Sequence, residues 1–118
     1  MVADKYKNFM QLSAHETLDK DYRIKVNDLG TQISVVAIHG GRIEPRTSEI
    51  AQLIAKDRFN LYCFEGIKDK KNQDLHITSH FFDEPRALKL ISKSMTVAAI
   101  HAFKNRKEVI QLVFKPHK

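Results

Sequence analysis

Two histidines in this chain stand directly after apolar runs: His39 after Ile33–Ile38, and His101 after Met95–Ile100. Glu44 follows His39 by five residues, across Gly40, Gly41, Arg42 and Ile43. Glycines allow tight backbone turns, so the Glu44 carboxylate can fold back onto the His39 imidazole. Two histidines and one carboxylate form one of the ligand sets of catalytic zinc, which leaves a coordination position for water. The same residues also suit a plainer role as polar side chains satisfied at strand ends, and spacing alone leaves both readings open. Cys63 is the only cysteine, which excludes an intrachain disulfide and a zinc site built from several cysteines. Lying in the apolar run Phe59–Phe64, it reads as an inert core residue.

For the two histidines to share a site, their strands must deliver them to the same edge of a sheet. Ile33–Ile38 is β-branched and continuous, as a strand buried on both faces should be. Phe59–Phe64, Met95–Ile100 and Val109–Phe114 read as further buried strands, and Tyr22–Val26 alternates like a half-buried one before the turn Asn27–Gly30. Between them, Thr47 or Ser48 can cap a helix through Lys56, with Ile50, Ala51, Leu53 and Ile54 facing the core. Pro85 suits the first turn of a helix to about Lys93, with Ala87, Leu88 and Ile91 inward. An amphipathic helix is expected within Asp4–Thr17, and an extended piece at Leu75–Ser79. Strands alternating with helices predict an α/β fold: an open, largely parallel or mixed sheet flanked by helices, with ligands outside the carboxyl ends of the strands.

A chain of 118 residues falls within the size of one domain, and a single domain over 1–118 is expected. No stretch is apolar enough to span a membrane, and the start MVADKYKNF lacks the core of a signal peptide, so a cytoplasmic protein is expected. The net charge of +6 favours polyanionic partners. It is dispersed over Lys68, Lys70, Lys71, Lys89, Lys93, Lys104, Arg106 and Lys107, and no recognition motif accompanies it, which disfavours nucleic acid as the partner.

The string from His39 to Glu49, followed by Tyr62-Cys63-Phe64-Glu65-Gly66, Leu75-His76-Ile77-Thr78-Ser79 and Phe82-Asp83-Glu84-Pro85, resembles the phage-type poly-γ-glutamate hydrolases. Asp21–Ile24 and Ala99–His101 match as well, and the blocks run in the family's order. The resemblance implies a zinc-dependent, carboxypeptidase-like α/β hydrolase of phage or prophage kinship that cleaves γ-glutamyl amide bonds. Carried over by position, His39, Glu44 and His101 correspond to the Zn²⁺ ligands. Arg42 and Arg46 are candidates to hold the polymer's free carboxylates, and His76 and His80 lie in matching blocks as structural or substrate-facing residues.

The family's chains continue past the point matching Lys118, and their general-base glutamate lies in that later part. The resemblance therefore describes a fold incomplete at its C-terminal end, with Glu65 and Glu84 as conceivable substitutes for the base. A shortened sheet exposes an edge, so a homodimer is expected, and Val109–Phe114 is the strand expected to close the sheet. Arg42 and Arg46 stand where the family favours glycine, and Ala102 replaces a glycine after His101. Two functions follow: a compact zinc hydrolase acting on poly-γ-glutamate or another acidic polymer, or an inactive paralogue that keeps the fold and zinc for binding.

Overall fold

The structure is a computed structural model that describes residues 3–102 and, as backbone, 109–114. Lys104, Arg106 and Lys107, part of the dispersed positive charge, lie outside the described residues. Five strands form one sheet: β1 (Tyr22–Asn27), β2 (Ile33–Gly41), β3 (Asn60–Gly66), β4 (Thr96–His101) and β5 (Val109–Phe114), in the order β1-β3-β2-β4-β5. The central strand β2 runs parallel to both β3 and β4, while β1 and β5 are antiparallel to their neighbours.

The sheet is thus mixed, and only its inner three strands are parallel. The reason lies in the turn before β2, where Gly30 takes φ +74° and reverses the chain. β1 must then oppose β2, and hence β3, which is inserted between them. Asn60 fastens this arrangement: its Oδ1 accepts from the Leu29 and Thr31 N–H groups, and its Nδ2 donates to the Thr31 carbonyl and the Ser34 hydroxyl. At the other side β5 pairs along the whole of β4, as the closing strand expected from the sequence.

Alternate residues of β2 feed two cores. Val36 and Ile38 join Tyr62, Phe64, Leu75 and Ile77 on one face, whereas Val35 and Ala37 join Cys63, Ala98 and Ile100 on the other. Burial on both faces explains why β2 shows no polar alternation. The helix α2 (Thr47–Ala55) covers the second face through Ala51 and Ala55, and α3 (Pro85–Ser92) covers the first through Ala87 and Leu90. Each differs from expectation by one residue of its apolar face: Leu53 and Leu88 are 65% and 48% exposed. Leu53 points outward because α2 approaches the sheet through Ala51 and Ala55, and Leu88 because Ala87 and Leu90 form the buried face of α3.

α1 (Phe9–His15) is shorter than the segment expected to hold it, because the Asn8 side chain caps it by accepting from the Gln11 N–H. Leu12 is its buried residue, while Met10 is exposed. Leu75–Ser79 is not a continuous extended piece. Short 3₁₀ turns at Asn72–Leu75 and Ser79–Phe81 enclose residues 76–78, with Leu75 and Ile77 fully buried as anchors. Among the described residues no helix is long and apolar enough to cross a membrane.

From β2 the chain passes through α2 to β3 on one side, then through α3 to β4 on the other. This reversal puts the topological switch point at the carboxyl ends of β2 and β4, the usual ligand position in open α/β sheets. β2 and β4 end in His39-Gly40-Gly41 and His101.

Candidate metal centre

Strict alternation along β2 would put His39 under α2, with Val35 and Ala37. The β2–β3 register shifts between Ala37 and Gly40, however, and His39 meets His76 and Ile77 on the opposite face. Bulges re-aim side chains in this way. The two following residues must be glycine. A Cβ on Gly40 would lie 2.0 Å from the Ser48 hydroxyl oxygen and 3.0 Å from the Phe64 carbonyl oxygen. Gly41 has φ +62°, and a Cβ there would lie 2.4 Å from the Gly66 carbonyl oxygen.

The loop then folds back. The Glu44 N–H donates to the His39 carbonyl across 2.9 Å, and the Thr47 hydroxyl lies 2.9 Å from the Glu44 carbonyl oxygen. The Ser48 hydroxyl accepts from the Gly41 N–H. Thr47 and Ser48, expected to cap α2, instead brace this loop within the helix's first turn. The N-cap position belongs to Arg46, whose φ of +75° is left-handed and whose side chain makes no capping bond. This is the strain expected from an arginine at a position where glycine is favoured.

His39 is 3% exposed, and its Nε2 lies 2.7 Å from the Ile77 carbonyl oxygen. A carbonyl only accepts, so Nε2 carries the hydrogen, and in the neutral ring Nδ1 is the nitrogen with the free lone pair. That Nδ1 is buried without a hydrogen-bond partner, 3.5 Å from Glu44 Oε2. The other Glu44 oxygen accepts from the Ala102 N–H across 3.1 Å. An alanine suffices there because only its backbone is used. His101 completes the group: one donor atom from each of His39, Glu44 and His101 lies within 4.8 Å of the others.

The electrostatics put these groups in the forms a metal needs. Burial, with His39 nearby, depresses the His101 pKa below its ordinary value against the opposing pull of Glu44, which favours neutral imidazole. Burial alone would raise the Glu44 pKa, but His39, the Ala102 N–H and His101 together hold it below the usual carboxylate value. A neutral His101 imidazole beside an ionised Glu44 carboxylate fits zinc. The carbonyl behind His39 is the kind of partner that fixes a metal-bound histidine. The buried, unpartnered Nδ1 is costly in isolation, and a cation at this point would satisfy it.

The remaining sequence candidates fall elsewhere. His76 stacks on His39 with ring centroids 4.0 Å apart, and its Nδ1 lies 2.7 Å from Asp4 Oδ1. His80 is exposed beside Phe81 and is not one of the trio; it lines a cleft with Asp4, Thr78 and Phe82. Arg42 is exposed and donates to the Lys68 carbonyl, and Arg42 and Arg46 share a cleft of about 750 Å³ with Arg23, Lys25, Glu49 and Glu65. Glu65 is buried and paired with Arg23 and Lys25. Glu84 is buried too, accepting from the Tyr62 hydroxyl and capping α3. Both carboxylates are thus committed to structural bonds. Asp4, Ile77 and Thr78 were not legible as site residues, since Asp4 lies 72 residues before its partner His76.

The sequence model of the poly-gamma-glutamate hydrolase family matches residues 6–113. Among curated proteins of Bacillus subtilis (strain 168), the chain is 40% identical over 109 residues to the UPF0714 protein YndL, covering 92% of this chain and 42% of YndL. It is 40% identical to the SPbeta prophage-derived UPF0714 protein YoqZ over 92% of this chain and 39% of YoqZ. Among solved structures, a zinc-free apo form of YndL superposes with a TM-score of 0.81 at 42% identity, over 86% of this chain and 49% of that one. A bacteriophage poly-gamma-glutamate hydrolase superposes with a TM-score of 0.83 at 32% identity, over 87% of this chain and 50% of that one. The chain spans less than half the length of these curated relatives and about half of the matched structures.

Proposed function

Since this chain belongs to the poly-gamma-glutamate hydrolase family, we propose that His39, Glu44 and His101 hold a zinc ion and that the site acts on γ-glutamyl amide bonds. The observation that carries this reading is the buried Nδ1 of His39, which faces Glu44 with no partner while Nε2 is committed to Ile77. Zinc held there would supply a water of pKa about 7 and a Lewis acid for the scissile carbonyl.

The chain's own residues perform the rest. His39 is locked in one tautomer by the Ile77 carbonyl, and the Ala102 N–H orients Glu44. Poly-γ-glutamate carries a free carboxylate on every unit, and the cleft containing Arg23, Lys25, Arg42 and Arg46 offers cations to bind them. The net charge of +6 attracts such a polymer at long range. The prophage and bacteriophage origins of two relatives support a phage origin for this chain too.

One observation favours a second reading, zinc and polymer binding without turnover. Hydrolysis needs a base for the attacking water, and Glu65 and Glu84 are both held in other bonds. Zinc content of the purified protein and of His39→Ala and His101→Ala variants tests the ligand set, and the chain length of poly-γ-glutamate after incubation tests catalysis. About one zinc per chain, absent from both variants, with polymer shortening supports the hydrolase. Zinc with unchanged polymer length selects the binding protein, and no zinc in the parent protein rejects both.

A further inference from the structure

His39 is held through one short stretch of chain, residues 76–78. The His76 ring lies on it at 4.0 Å with an interplanar angle of 22°, and the next residue, Ile77, accepts its Nε2–H. The stretch is in turn gripped by a single carboxylate from the far N-terminal arm. Asp4 Oδ1 meets His76 Nδ1 at 2.7 Å, while Oδ2 accepts from the Thr78 N–H at 2.6 Å and the Thr78 hydroxyl at 2.7 Å. Both ends of the stretch are therefore tied to Asp4, and its middle residue is tied to His39. The Asp4 and His76 side chains are only 19% and 28% exposed, which strengthens bonds that solvent would weaken.

We propose that Asp4 is a positioning residue for the metal centre, acting through residues 76–78 to fix the tautomer and ring orientation of His39. This rests on the zinc reading above for its purpose, though not for its geometry. Partners behind a metal-bound histidine typically affect metal affinity by about 10–100-fold. Here the carboxylate does not touch the ligand. It holds both the ring stacked on the ligand and the backbone carbonyl that selects the ligand's tautomer.

The test uses metal-free and zinc-loaded protein. Long-range ¹H–¹⁵N correlation spectra of the metal-free protein report the His39 tautomer, and chelator competition reports zinc affinity. In the parent protein His39 carries its proton on Nε2. In Asp4→Ala that tautomer gives way to a mixture and zinc binds about 10–100-fold more weakly. Asp4→Asn keeps an acceptor for Thr78, so it carries the test should the alanine variant fold poorly, with a smaller loss in the same direction. Glu16→Gln is the control, because Glu16 ties the same arm to Tyr6 and Lys68 without touching residues 76–78. Lower thermal stability with an unchanged tautomer and unchanged zinc affinity is expected of it. An unaltered His39 in both Asp4 variants, or equal losses in Glu16→Gln, overturns the proposal. A parent protein that binds no zinc removes the metal reading, while the spectra still decide whether Asp4 positions His39.

Discussion

His39 donates from Nε2 to the Ile77 carbonyl across 2.7 Å, and this bond selects Nδ1 as the nitrogen that faces Glu44. An asparagine side chain places an oxygen near the position of Nδ1, whereas a glutamine reaches toward that of Nε2. His39→Asn is therefore expected to retain weak zinc binding, and His39→Gln to bind about tenfold or more weakly still. Chelator competition on the two variants checks the order. Equal affinities would show that the metal does not discriminate between the two ring positions.

Gly40 packs against Ser48 so closely that Gly40→Ala must displace the serine or the loop, at a cost of about 1–3 kcal/mol in urea unfolding. Ser48→Ala removes the atom that the new methyl would strike. The double variant should then be less destabilised than the sum of the two single changes. Simple additivity would place the conflict at the Phe64 carbonyl instead.

Arg46 holds a left-handed φ of +75°, which glycine adopts without penalty. Arg46→Gly should raise stability by up to about 1 kcal/mol, less whatever the arginine's own contacts contribute, and weaken binding of the acidic polymer. Thermal unfolding and a salt-dependent polymer-binding titration separate the effects. Loss of stability with unaltered polymer binding would assign Arg46 a purely structural role.

Burial, with the Glu65 charge nearby, pushes the Cys63 thiol up to about 11. The native protein should leave a thiol reagent unreacted at pH 8, and modification should follow unfolding. The folded-state pKa lies above the unfolded one, so this contribution to stability is complete below the unfolded pKa of about 8.5 and is lost as pH rises toward 11. Urea titrations should show that slope in the parent protein and a flatter one in Cys63→Ala.

The inner sheet was legible because β2, β3 and β4 are buried on both faces and their apolar runs carry no competing pattern. The outer strands' directions were not, since they depend on the reversal at Gly30 and on Asn60, a buried polar residue whose role emerges only from partners on another strand. Helix faces differ from expectation at Leu53 and Leu88, where apolarity suggested burial but the sheet meets Ala51 and Ala55 of α2 and Ala87 and Leu90 of α3. Within the site, spacing marked the strand-end histidines and the nearby Glu44 but left their role open; the set of three came from the family resemblance, and the structure places the three side by side. The bonds of Asp4, Glu65 and Glu84 are all long-range in sequence, and no periodicity announces them.

His39 and Glu44 are sequence neighbours joined by a turn, but His101 reaches them only after β4 has docked beside β2. An unfolded chain can offer zinc the first pair transiently and the complete trio almost never, because a loop of some sixty residues must close first. Metal affinity is then coupled to long-range assembly, so zinc should discriminate strongly in favour of the native ensemble. An ion held there would slow unfolding by tying together two strands that lie far apart in sequence, making the centre a kinetic latch on the sheet.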